Sequence, residues 1–287
     1  MPLQPAASRP APSVRHWLVD AAGRIEDALG PARVTRLVLP PLPAPAGKEG
    51  EFCAVQLEDG SVGLSFTLLN GTLRALHERT RPVAGAAAAE LVAGYADGDG
   101  AARALGLATL NALTRRLCER AGFAPDDSVD SFGSLGLAAG DRLGMVGHFS
   151  PLIRHARALG IPVVVLELKA ELVREEPGLS VTLDPQRLQG CNKIVSTSTL
   201  LLNDTFEQVA SHWRHAEAVA IVGPSAGCPP DALFAAGVSA VGTAWVTDAE
   251  AFLARVAAGE KWGDASRKVT LTPQRYPGLD RLLARAC

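Results

Sequence analysis

The chain has 287 residues, of which 47% are hydrophobic and 20% charged, with a net charge of −2 at neutral pH. That length and apolar content suit one large or two modest domains with buried cores. Balanced, intermixed charge gives no positive field to recruit nucleic acid or anionic lipid, and 5% aromatics argue against a base-stacking surface.

Residues 1–12 hold several prolines and no apolar core of a signal peptide, so a flexible tail is expected. A helix is predicted from Ser13, where Val14, Leu18, Ala21, Ile25 and Leu29 recur every three or four residues before Gly30-Pro31 stops it. Three strands follow in RVTRLVLP, EFCAVQLE and SVGLSFTL, the last two joined by an Asp59-Gly60 hairpin turn. Two helices come next, AGAAAAELVAGY and the longer, amphipathic GAARALGLATLNALTRRLCERAG. Residues 13–123 thus read as a small α+β domain, and the Gly-, Ser- and Asp-rich stretch within 124–140 as a linker.

From 141 to 287 the pattern changes. Apolar runs at 143–147, 162–167, 193–196, 218–222 and 238–242 alternate with helix-like segments, the signature of a Rossmann-like parallel sheet. In such sheets ligands gather at the carboxyl ends of the strands. Gly147, His148 and Phe149 follow the first run, Glu167 the second, Thr197 and Ser198 the third, and Gly223, Pro224 and Ser225 the fourth. Ser150-Pro151 reads as a helix start whose free N–H groups suit an anion. Neither the GxGxxG fingerprint nor a phosphate-binding P-loop is present, which disfavours a standard NAD or ATP site.

Each candidate carries a plainer alternative. His148 is a ligand or an acid/base, or else bonds its own loop. Glu167 binds a metal or a ribose, or is a solvated strand-end charge. In STSTLLLNDTFEQV the helix starts at Ser198 or, with Asp204 and Glu207 as a capping box, at Asn203/Asp204; residues 197–203 then form a loop at the sheet edge whose hydroxyls face the cleft, or merely cap the backbone. Cys228 is a soft metal ligand or an inert small side chain. His212 and His215, in HWRH, share one face of a predicted helix but lack a third ligand. The five cysteines are odd in number and contain no CxxC pair, which argues against a disulfide framework or closed zinc site and fits the cytoplasm. No apolar stretch is long enough to span a membrane.

Taken together, EFCAVQLEDGSVGLSFTL, LGLATLNAL, GMVGHFSPL, the VVLE strand end, TSTLLLNDT, VGPSAGCPPDALFAAGV and VGTAWVTDAEAFL resemble the putative heavy-metal chelation family in order and spacing. The resemblance covers nearly the whole chain after the tail. It implies an enolase-N-terminal-like α+β domain followed by a Rossmann-like α/β domain, with a ligand cleft between them. It also implies a site built from Asn111, Gly147, His148, Glu167, Asn203, Thr205, Gly223 and Ser225. Two departures fall at that cleft: Ser198 and Asp204 stand where the family more often has glycine, and Gly227-Cys228 occupies the loop after Ser225.

The leading expectation is therefore binding of a transition metal ion, or a small molecule carrying one, with His148, Glu167 and Cys228 as candidate ligands. The alternative is an enzyme, a lyase, isomerase or transferase, acting on a small organic substrate with His148 as acid/base and Glu167 as its partner. A nucleotide such as S-adenosylmethionine stays open as a cofactor, a homodimer stays open as an assembly, and a ligand sensor without turnover is a third option.

Overall fold

The computed structural model describes residues 13–43, 51–127 and 133–287. The tail at 1–12, most of the proline-rich connection after the first strand and part of the linker expected at 124–140 lie outside the described residues.

Helix α1 (Val14–Leu29) begins where Ser13 accepts a hydrogen bond from the His16 N–H and ends at Gly30. Its buried face is Val14, Leu18, Ala21, Ala22 and Ile25, matching the periodicity in the sequence. Strands β1 (Val34–Val38), β2 (Phe52–Leu57) and β3 (Val62–Phe66) form an antiparallel sheet in that order. The β2–β3 turn is closed by the Gly60 N–H to Leu57, with Gly60 at φ 89°. A short helix α2 (Thr72–His77), not anticipated, precedes α3 (Ala88–Asp97) and α4 (Gly100–Arg120).

Helix α4 differs from expectation. It is not amphipathic but buried almost all round, with every residue from Ala104 to Thr114 inside. The reason is its surroundings, since it packs against β2 and β3 as well as α1, α3 and α9 (Leu279–Ala286). The close approach to the sheet depends on Gly63, where an added Cβ would lie 2.1 Å from the Ala108 carbonyl oxygen.

The second sheet holds β4 (Leu143–Val146), β5 (Val163–Leu166), β6 (Arg174–Glu176), β7 (Leu179–Thr182), β8 (Lys193–Thr197), β9 (Ala218–Val222), β10 (Ala240–Val246) and β11 (Ser266–Leu271). Its order is β11-β10-β9-β8-β4-β5-β7-β6. The six strands from β10 to β7 run parallel, and β11 and β6 close the edges antiparallel. All five predicted runs are strands. The β6–β7 hairpin and β11 were not legible, because charged residues (Arg174, Glu175, Glu176, Arg267, Lys268) interrupt the apolar pattern, as edge strands commonly require.

Helices α5 (Ser150–Ala158), α6 (Phe206–Ala210), α7 (Asp231–Ala235) and α8 (Ala249–Ala258) cross between strands. The alternation is looser than predicted, since β5 leads to the β6–β7 hairpin rather than to a helix. The order of strand addition reverses at β4: β5 lies on one side and β8, reached later, on the other. This is the topological switch point at which open parallel sheets bind ligands. A buried core runs from α1, β2 and α4 through to Val146, Ile194, Ile221 and Val241, so the two sheets share one interior. Among the described residues no helix is long and apolar enough to cross a membrane.

Candidate functional site

At the carboxyl ends of β4, β5, β8 and β9 lies a crevice of about 1190 Å³. Its floor is the switch point. Gly147, at φ 83°, turns the chain out of β4, and an added Cβ there would crowd Thr197 at 3.2 Å. Gly223, at φ 149°, does the same after β9, where a Cβ would lie 2.2 Å from Ser198 Oγ. Only glycine lets these strand ends stay so close.

The crevice brings together Gly147, His148, Phe149, Glu167, Thr197, Asn203, Thr205 and Gly223. The first sheet and the loop beyond it contribute Phe52, Phe66, Leu68 and Leu69 to the lining. His148 is exposed, with its Nδ1 3.2 Å from Ser150 Oγ. Ser150 is thus the first residue of α5 and touches the imidazole, rather than capping the helix as expected. Glu167 is anchored by its N–H, which donates to the Thr182 carbonyl at 2.9 Å, and its carboxylate accepts from the Leu168 N–H.

The hydroxyl wall comes from 197–205. Thr197 caps a 3-10 turn at Ser198–Leu201, and Thr205 donates to Asn203 Oδ1 at 2.6 Å. Between them Asp204 sits at φ 61°, a left-handed conformation costly for residues other than glycine. Its carboxylate pairs with Arg15 at 2.5 Å and Arg103 at 2.7 Å, and these contacts, Arg15 foremost, hold its pKa below the ordinary 3.8. The expected capping box is absent because Glu207 instead accepts from the Val14 N–H at the start of α1. The helix starts in two steps, first the 3-10 turn and then α6.

Three predicted site residues stand elsewhere. Asn111 is 4% exposed and donates to the Leu64 carbonyl at 2.7 Å and the Ser225 carbonyl at 2.9 Å. Ser225 is fully buried, and its hydroxyl accepts from the Phe66 N–H. Together they clasp the first sheet to the β9 loop instead of lining the crevice. Cys228 lines a separate small cavity beside Asn111, Cys118 and Tyr276, and burial pushes its thiol up to about 12. It is therefore a buried thiol in another cavity, not a thiolate beside His148. The HWRH segment is also not helical: α6 ends at Ala210, Trp213 is buried against Phe206, and His212 bonds Gln189.

The residues do not fit a metal held by protein donors alone. Among the described residues no three His, Cys, Asp or Glu side chains group to hold an ion. Sequence reasoning also missed crevice residues. Leu168 and Lys169 follow Glu167 directly on the same strand-end loop, and that adjacency was the available signal. Thr199, Gln208 and Leu183 gave none.

Two family models match the chain, DUF4213 over residues 50–114 and DUF364 over residues 130–273, both described as putative heavy-metal chelation. A DUF364-family structure from Desulfitobacterium hafniense DCB-2, of unknown function, is similar at 19% identity. The match covers 90% of this chain and 99% of that one, with a TM-score of 0.64. One from Pyrococcus horikoshii, also of unknown function, is similar at 16% identity over 89% and 99%, again at 0.64. These likenesses establish the shared α/β fold. Among curated proteins none matches the chain.

Proposed function

The chain belongs to the putative heavy-metal chelation family, and we propose that it binds a heavy or transition metal already complexed by a small organic molecule. One observation carries this reading. His148 and Glu167 share a crevice of about 1190 Å³, yet no third ligand of their kind joins them among the described residues. A bare ion needs several close donors, whereas a cavity of this size suits a drug-sized molecule. The complex brings most of its own donors. The His148 imidazole and the Glu167 carboxylate meet it at the tips of β4 and β5. Thr197, Asn203 and Thr205 offer hydrogen bonds, and Gly147 and Gly223 keep the floor open. Asn111 and Ser225 act at one remove, by holding the two walls together.

Native mass spectrometry of the purified protein tests the reading. A metal and an organic species should be retained together, and both should be lost from His148→Ala and Glu167→Ala. Metal retained stoichiometrically with no organic companion, or retained equally by both variants, would refute it.

A further inference from the structure

We infer that the molecule taken by the crevice is an amphipathic, carboxylate-bearing metal chelate, with its apolar body on a lip made by Leu168 and Leu183 and its anionic arm on Lys169. The inference rests on the crevice reading above and narrows it to a ligand class. The described residues include five exposed large hydrophobic side chains. Three of them, Leu168 at 68%, Val173 at 48% and Leu183 at 47%, lie on the loops that leave β5 and β7. Leu168 and Leu183 line the crevice itself, as does Leu172 next to Val173. Single exposed leucines are ordinary, but several along one rim of a cavity mark a surface that something covers. Phe52, Phe66, Leu68 and Leu69 line the same crevice, so an apolar body would meet further carbon surface there.

Lys169 sets the charge. It lines the crevice between these leucines and has no ion pair among the described residues. Arg174, another cation on the lining, is already occupied by Glu176 at 2.9 Å and by the Leu172 carbonyl. A free ammonium flanked by leucine suits a carboxylate on an apolar frame. A small hydrophilic chelate would leave the lip in water.

Zinc protoporphyrin, metal-free protoporphyrin and zinc citrate serve as probes of binding to the full chain. Zinc protoporphyrin should bind saturably and more tightly than zinc citrate. Leu168→Asp should weaken it about tenfold or more. Lys169→Glu should weaken it about fivefold, with Lys169→Arg restoring it. Both positions are exposed, so unchanged urea midpoints will show that the variants remain folded. If zinc citrate binds as tightly, or if Leu168→Asp and Lys169→Glu change nothing, the amphipathic class is wrong and the chelate reading survives. If the metal-free porphyrin binds as well as the zinc form and His148→Ala has no effect, the chelate reading fails and the amphipathic class stands. Binding of neither porphyrin overturns the inference.

Discussion

Asp204 holds a backbone conformation that glycine would adopt freely, and two arginines compensate for it. Replacing it by alanine keeps the strain and removes the pairs, so Asp204→Ala should cost about 1–2 kcal/mol in urea unfolding. Asp204→Gly should cost less, because relief of strain offsets the lost pairs. The pH dependence follows from the sign of the shift. The folded carboxyl titrates below its ordinary 3.8, so its contribution is complete above that value and disappears as pH falls further. The difference between the wild type and Asp204→Asn should therefore shrink below about pH 4. Asn111 is a harsher case. Its amide satisfies two buried carbonyls, so Asn111→Ala should cost about 2–4 kcal/mol, and Asn111→Asp, which sets a carboxylate against them, more. The cysteines provide a chemical check. Burial pushes the Cys53, Cys118 and Cys228 thiols up to about 12, while Cys287 is exposed. At pH 8 a thiol reagent should label Cys287 promptly and the others only on unfolding. Fast labelling of Cys228 would return it to consideration as a soft ligand.

At the scale of elements, two glycines set how closely the parts approach. At Gly63 the obstacle to a Cβ is the backbone of α4, which cannot rotate aside. Gly63→Ala should therefore cost about 3 kcal/mol, seen as a lower unfolding midpoint, because β3 or α4 must move as a whole. At Gly223 the nearest obstacle is the Ser198 hydroxyl, and φ 149° adds backbone strain. Gly223→Ala should shift the β8 and β9 tips, and adding Ser198→Gly should recover part of the loss. No recovery would mean that the strain lies in the backbone alone. The Arg15–Asp204–Arg103 cluster, with Glu207 on the Val14 N–H, ties α1 and α4 to the hydroxyl wall of the crevice. Elements far apart in sequence thus fix the geometry of residues 197–205.

Across the whole molecule, the architecture was largely legible. Period-3.6 spacing located α1, strand-like apolar runs located the five central strands, and Asp59-Gly60 located the hairpin; α4 was found as a helix, but its amphipathic reading was not borne out, because it is buried almost all round. What sequence could not show was environment. Asn111, Ser225 and Cys228 carry chemistry suited to a site, but tertiary packing draws them into the interior between the sheets. In contrast His148, Glu167, Thr197 and Asn203 meet because strand order, invisible in the sequence, places β8 beside β4 and β4 beside β5. Lys169 and the leucine lip escaped notice because a strand-end loop of mixed residues has no period to read.

The central claim is that the protein binds metal as a complex and not as a free ion. Equilibrium dialysis against cobalt(II), nickel(II), copper(II) and zinc(II), each without chelator, tests it most directly. No stoichiometric uptake that depends on His148 and Glu167 is expected. Uptake of one bare ion per chain, abolished by His148→Ala or Glu167→Ala, would contradict it.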